Sequence, residues 1–223
     1  FPEQGCILLD DAINRFIQNN RITQDCRISR DSKGCITNTY SAEIIEKELD
    51  FTYYHNSESF FQSNGFLRPK MLELVIEQSA GFSQAIDMGC GCGFFTIPLS
   101  KKMKITGIDI SKESIASAKK NNIENRTDAK FIRCDMDSIP DSIKAADLIV
   151  TDPPRAGMNS KAREIIKKIS PEKIIYVSCN PSTWARDAGD LIKSGFKLES
   201  VDLIDMFPGT MHIELISSFS FDK

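Results

Sequence analysis

The 223-residue chain contains one tryptophan and two histidines, and its 28 basic side chains fall short of its 31 acidic ones. Each shortage removes a class of function. A formal net charge of −3 and a sequence pI near 5.5 provide no overall positive field, so any nucleic-acid contact must come from a local patch. Candidates for that patch are Lys101, Lys102, Lys104, Arg155, Lys161, Arg163, Lys167 and Lys168. No apolar run is long enough to span a bilayer, and no membrane partner is expected. With only His55 and His212 to accompany them, Cys90 and Cys92 read as small loop residues, and no metal is expected. The seven cysteines are odd in number and lack the spacing of small secreted domains, so they read as reduced thiols of an intracellular, cytoplasmic protein. Repeats and low-complexity tracts are absent as well. The length suits one well-buried α/β domain with a smaller piece attached, not two full domains. The chain opens on Phe1 without a methionine, and further residues upstream are expected.

Apolar positions Ile7, Leu8, Leu9, Ile13, Phe16 and Ile17 predict an amphipathic helix over 6–18. Residues 27–30 and 35–37 read as two strands joined by a turn in which Gly34 takes positive φ. A further strand is expected over 52–57, and the boundary of the main domain is placed after residue 55. Pro69 suits the first turn of a helix running to Ala80. Beyond it, strands at 85–88, 105–110, 130–134, 147–151 and 173–178 alternate with helices at 95–102, 112–121, 161–169 and 183–194. That alternation predicts a doubly wound, mostly parallel sheet with helices on both faces. Segments 197–204 and 212–221 follow with no helix between them. The last strand is therefore expected to run antiparallel, as a reversed edge.

The run from Asp87 through Gly89, Gly91 and Gly93 to Phe95 lies between the first strand of this sheet and its helix. Glycines there let the backbone approach a ligand, and Asp109, closing the next strand, can take both hydroxyls of a ribose. Phe94 occupies the place where a dinucleotide loop wants its third glycine, so the spacing suits a cofactor without phosphates. S-adenosylmethionine is such a molecule, with Asp87 suited to its ammonium and Asp135 to its adenine amino group.

After the fifth strand of the sheet comes Cys179, followed by Asn180 and Pro181. Parallel strands open their sites at their carboxyl ends, so this thiol is placed to react, with Asn180 offering amide hydrogen bonds and Arg186 favouring a thiolate if it folds back to the sulfur. Asp152-Pro153-Pro154-Arg155 ends the fourth strand; Arg155 in place of a stacking aromatic argues against methylation of an exocyclic amine. A thiol beside a methyl donor suits carbon 5 of a pyrimidine, which becomes nucleophilic once a thiolate adds at carbon 6. A base must then remove the carbon-5 proton, and Glu214 is expected at the same edge as Cys179.

Phe60-Phe61-Gln62-Ser63-Asn64, the glycine loop, 152–157, 178–181 with Arg186-Asp187, and 205–208 with His212 and Glu214 closely resemble the RNA uracil-C5 methyltransferase family. The resemblance runs from about residue 50 to the end. It implies a Rossmann-like class I methyltransferase domain over 56–223, preceded over 1–55 by part of a central, RNA-facing α+β segment. It implies Cys179 as nucleophile and Glu214 as base. Cofactor contacts would come from Gln62, the backbone around Gly89 and Phe94, Asp109, Asp135 and Asp152, and substrate contacts from Arg155, Asn180 and Arg186. Asp109 stands where many members carry glutamate, and Phe94 where asparagine is common. Cys6 is similar to the last of four cysteines that hold an iron–sulfur cluster in some members; the other three have no counterpart, so no cluster is expected. The stretch 184–187 is more similar to ribosomal-RNA members than to the transfer-RNA branch. Weighed against this reading are a cytosine-C5 methyltransferase, an inactive RNA- or cofactor-binding module, and an oxidoreductase.

Overall fold

The computed structural model describes residues 11–20, 28–30, 34, 36–37, 43–56, 59–140, 142–143 and 145–221. The start of the first expected helix, including Cys6, lies outside them, as does most of the turn expected before Gly34. Helix α1 spans Asp11–Asn19. Strands β1 (Ser29–Arg30) and β2 (Ile36–Thr37) pair antiparallel, with Gly34 at φ +82°, the strand pairing and the glycine conformation anticipated there.

A second hairpin joins β3 (Glu43–Glu48) to β4 (Phe51–Asn56). β3 carries no clean alternation of apolar and polar residues, because two of its inward positions are acidic: Glu46 and Glu48 are buried along with Ile44. Helix α2 (Arg68–Gln78) has Pro69 in its first turn, where the missing N–H costs nothing.

The main sheet then follows in chain order: β5 (Gln84–Met88), α3 (Thr96–Leu99), β6 (Lys104–Asp109), α4 (Lys112–Glu124), β7 (Lys130–Arg133), β8 (Leu148–Thr151), α5 (Ser160–Ile169), β9 (Lys173–Ser178), α6 (Pro181–Lys193), β10 (Lys197–Ile204) and β11 (Glu214–Ser220). Its order is β10-β11-β9-β8-β5-β6-β7. α3 is shorter than the expected 95–102, since the amides of Lys101 and Lys102 bond back three residues, to Pro98 and Leu99, and the helix tightens into turns.

Alternate residues along the strands enter two cores on opposite faces. Ala85, Leu148, Val150, Ile175 and Val177 meet Met71, Leu72 and Val75 of α2 on one face. Ile86, Ile149, Ile174 and Tyr176 meet Ala162, Ile166, Ala188 and Leu191 of α5 and α6 on the other. Both faces being covered explains why these strands read as unbroken apolar runs.

The last strand pairs antiparallel, as expected, but not at the edge. β11 is inserted between β9 and β10, antiparallel to both, and the edge is β10. Burial decides the order: β11 is buried at every position but its last, whereas β10 leaves Leu198, Val201 and Leu203 exposed.

Candidate active site

β5 and β8 lie side by side while the chain winds away from them in opposite directions. Ligands of open α/β sheets bind at such a switch point, outside the carboxyl ends of the strands. The loop after β5 and the loop after β8 meet closely here. Gly89 has φ +84°, and a Cβ on it would stand 2.8 Å from the carbonyl oxygen of Asp152. Gly91, also at positive φ (+53°), has open space where a Cβ would point. The first glycine is required by the neighbouring backbone; the second leaves the loop accessible from the cleft. Phe60, Gln62, Gly89, Gly91, Phe94 and Asp152 all line that cleft.

Asp109, at the end of β6, accepts the amide of Gly91 on Oδ2 (2.9 Å) and that of Ser111 on Oδ1 (2.8 Å). The carboxylate is thereby aimed, and the lone pairs left over on both oxygens remain available to hydroxyl donors. Ile110, next in the chain, is 62% exposed, an apolar face beside the Asp109 carboxylate. It is absent from the site predicted above, although an apolar residue directly after a strand-ending acid was visible in the sequence. Asp135 is half-buried after β7, with Oδ1 accepting the amide of Asp137 at 3.3 Å.

Asp87 is not in the cleft. It is fully buried, its Oδ2 accepting the hydroxyl of Thr96 at 2.5 Å while Oδ1 has no partner, and burial pushes its pKa up to about 7. The acid that does face the cleft is Asp152, whose Oδ2 accepts the side-chain amide of buried Gln62 at 2.8 Å. Its pKa is raised well above the usual range, by burial first and then by Glu214 and Asp87. The Phe94 ring lies in an aromatic cluster with Tyr53, Phe61 and Phe95, and its carbonyl oxygen accepts the Tyr53 hydroxyl. An acid holding two backbone amides, an exposed isoleucine, an open glycine and an acid that takes the Gln62 amide on one oxygen together fit a ligand with an adenosine and an amino-acid tail.

The residues expected to act as nucleophile and base lie at β9 and β11. Leu215 pairs with Ser178, so the antiparallel register sets Glu214, the first residue of β11, beside Cys179, the residue after β9. A parallel strand would have put its amino end at the far side of the sheet. Glu214 is 6% exposed, and burial pushes its carboxyl up to about 7. Cys179 is half-buried, its thiol raised by burial first, then by Glu214 and Asp152, with Arg155 pulling weakly the other way. Cys179, Glu214 and Asp152 thus form one electrostatic cluster, which disfavours the thiolate.

Arg186 does not fold back toward that sulfur. Its guanidinium bonds Asp187 and the carbonyls of Ala156 and Met158, because the fully buried Asp187 carboxylate lies next to it. Asp187 also takes the amide of Met158 (2.8 Å), the hydroxyl of Tyr176 (2.8 Å) and Arg163 (2.9 Å). Asn180 caps α6 through Ser182 and donates its side-chain amide to the carbonyl of Arg155 at 3.1 Å, as Thr183 does through its hydroxyl at 3.2 Å. These bonds fix the path of the loop that presents Arg155, whose side chain is exposed. The expected basic patch is reduced, because Arg163 and Lys167 pair with Asp187, Asp190 and Glu164, and Lys101 bonds the carbonyls of Asn125 and Arg126. Among the described residues no cluster of His, Cys, Asp or Glu is placed to hold a metal ion, and no helix is long and apolar enough to cross a membrane.

The model of the tRNA (uracil-5-)-methyltransferase family matches residues 24–217. The chain belongs to the RNA uracil-C5 methyltransferase family. It is 35% identical to the 23S rRNA (uracil(747)-C(5))-methyltransferase of Pyrococcus abyssi, over 83% of this chain and 45% of that one. It is 34% identical to the tRNA (uracil(54)-C(5))-methyltransferase of Pyrococcus horikoshii, over 93% and 49%. The solved tRNA (uracil-54, C5)-methyltransferase of Pyrococcus abyssi, in complex with S-adenosyl-L-homocysteine, superposes with a TM-score of 0.73 at 32% identity, covering 90% of this chain and 49% of that one. The two named RNA targets match to nearly the same degree. The chain spans less than half the length of the curated relatives it matches. Its sheet, with parallel strands and a final antiparallel pair, is the Rossmann-like fold of S-adenosylmethionine-dependent methyltransferases.

Proposed function

We propose that this chain is the catalytic part of an enzyme that methylates carbon 5 of a uridine in RNA, with Cys179 as nucleophile and Glu214 as base. The observation that carries the reading is the reversed β11, which brings a buried carboxyl titrating near 7 to the reactive thiol. Gln62, the backbone at Gly89 and Phe94, Asp109, Asp135 and Asp152 would hold S-adenosylmethionine. When bound, the cofactor supplies an electrophilic methyl group.

The Cys179 thiol loses its proton to solvent and the thiolate bonds to carbon 6 of the uracil, moving the carbon 5–carbon 6 π pair toward carbon 5. Once carbon 5 carries both hydrogen and methyl, Glu214 takes that proton, the carbon 5–carbon 6 double bond re-forms and the sulfur leaves with the bonding pair. A carboxylate with a pKa near 7 is matched to that duty at neutral pH. Asp152 orients the uracil, and Arg155, Asn180 and Arg186 serve the RNA side, Asn180 by holding the Arg155 loop. A target uridine has to leave its stack to reach this edge, which favours loops and single strands. Ribosomal RNA is the preferred substrate on the likeness of 184–187; residues 56–223 form the catalytic domain, and 1–55 belong to an RNA-facing segment.

The test is covalent capture. Incubated with S-adenosylmethionine and RNA carrying 5-fluorouridine, the chain is expected to form a methylated adduct seen by intact mass, since fluorine replaces the proton that Glu214 removes. Cys179→Ala should bind cofactor and form none; an adduct in that variant sinks the assignment. Cofactor binding without an adduct in the wild-type chain favours the binding-module reading.

A further inference from the structure

The hairpin β3–β4 reaches both walls of the cofactor cleft. Tyr53, fully buried on β4, donates its hydroxyl to the carbonyl of Phe94 at 3.0 Å. Burial holds the phenol protonated, so it is a permanent donor to the end of the glycine loop. The backbone beside it is clamped from α4. Asn121 exchanges hydrogen bonds with the amide and carbonyl of Tyr54 (2.7 and 3.0 Å), and Asn125 does the same with Thr52 (2.8 and 2.7 Å). Four residues of helix rise about 6 Å and two of strand about 6.8 Å, so carboxamides one helical turn apart match alternate strand residues as a neighbouring strand would. Asn121 also donates to the carbonyl of Cys92 at 2.9 Å. On the opposite wall, Arg68 pairs with Glu46 (3.1 Å) and Glu48 (2.6 Å) of β3, lies 4.9 Å over the Phe61 ring and donates to the carbonyl of Gln62 at 3.2 Å.

We propose that Tyr53 is a positioning residue for the cofactor, through which the hairpin sets the spacing between the glycine loop and the Gln62 loop where the cofactor's amino-acid tail lies. The inference rests on the cofactor assignment above. Cofactor affinity then depends on a segment that precedes the sheet domain. Adenosine, held at Asp109, Ile110 and Asp135, lies away from these contacts, whereas the tail lies between them.

The experiment titrates this chain with S-adenosylhomocysteine and, separately, adenosine, in wild type, Tyr53→Phe and Asn125→Ala. Loss of one hydrogen bond should raise the Kd for S-adenosylhomocysteine about five-fold in Tyr53→Phe and leave that for adenosine within about two-fold. Asn125→Ala, which loosens the hairpin without touching either loop, should lower the melting temperature and keep the ratio of the two affinities near wild type. An unchanged S-adenosylhomocysteine Kd in Tyr53→Phe, equal weakening of both ligands, or the same altered ratio in Asn125→Ala would each overturn the proposal. A wild-type chain that binds neither ligand removes the cofactor assignment itself and the proposal with it, and that failure shows before any variant is made.

Discussion

Two acids at the same sheet edge are treated in opposite ways. Asp187, behind the loop of Arg155, receives a backbone amide, a phenol and two guanidinium groups. Glu214, across from Cys179, is almost as deeply buried, and burial alone accounts for the rise of its carboxyl to about 7. A carboxylate with every lone pair answered is fixed in place; one buried without such donors favours its protonated form and can exchange that proton. The contrast separates scaffold from chemistry using one type of functional group, and it is a contrast of partners rather than of depth.

The largest expected effect breaks the scaffold side. Asp187→Ala leaves Arg163 and the Tyr176 hydroxyl without their buried acceptor, and removing one member of a buried charged network costs about 3–5 kcal/mol. Denaturant unfolding measures it. A loss below about 1 kcal/mol, the size of an ordinary exposed ion pair, would mean that Asp187 is dispensable and that the contrast with Glu214 has no energetic content.

How much of this was legible beforehand follows the same division. The parallel strands could be read because both of their faces are covered, which leaves β-branched runs such as Ile174-Ile175-Tyr176-Val177. β3 could not, since Glu46 and Glu48 turn inward only because Arg68 is there to receive them. The absence of a helix between β10 and β11 announced an antiparallel return, but insertion beside β9 depends on what covers the final strand, which is a tertiary fact. At the site, the placement of Cys179 and Glu214 at one edge followed from their positions just after one strand and at the start of the last. The direction of Arg186 did not, because Asp187, its neighbour in sequence and in space, draws the guanidinium away from the sulfur. Tyr53, Asn121 and Arg68 left no local signal, for their partners lie far along the chain.

The next effect sharpens the chemical side. In the folded protein Glu214 titrates near 7, against an ordinary value of 4.5, so on raising the pH the unfolded chain gives up its proton first. The stability tied to the protonated carboxyl is therefore complete below about pH 4.5 and is lost as pH rises through 7, a change of about 3 kcal/mol at most. Glu214→Gln, uncharged throughout, should gain on the wild type by about that amount between pH 4.5 and 8, as read from the difference of two denaturation curves across pH. Removing a charge that raises the Cys179 pKa should also speed alkylation of the thiol by iodoacetamide at neutral pH. Parallel pH curves for the two proteins would show that Glu214 is not the group left poised.

The smallest effect asks whether the cofactor end and the reactive end of the edge are independent. Asp109 answers two backbone amides, those of Gly91 and Ser111, and Asn in its place keeps the shape but turns one acceptor into a donor facing an N–H. One aimed hydrogen bond is lost at the glycine loop or at the start of α4, a cost of about 1 kcal/mol, and on the proposed reading one acceptor for a ribose hydroxyl goes with it. The Kd for S-adenosylhomocysteine should rise about ten-fold. Alkylation of Cys179 in Asp109→Asn should keep its wild-type rate and pH dependence, because the charges that raise the thiol are Glu214 and Asp152. Asp109 does, however, add to the rise in Asp87, and Asp87 to that in Asp152. A shifted alkylation profile would therefore mean that this chain of carboxylates carries charge information from the Asp109 end of the cleft to the sulfur, and the two ends would then have to be treated as one titrating unit.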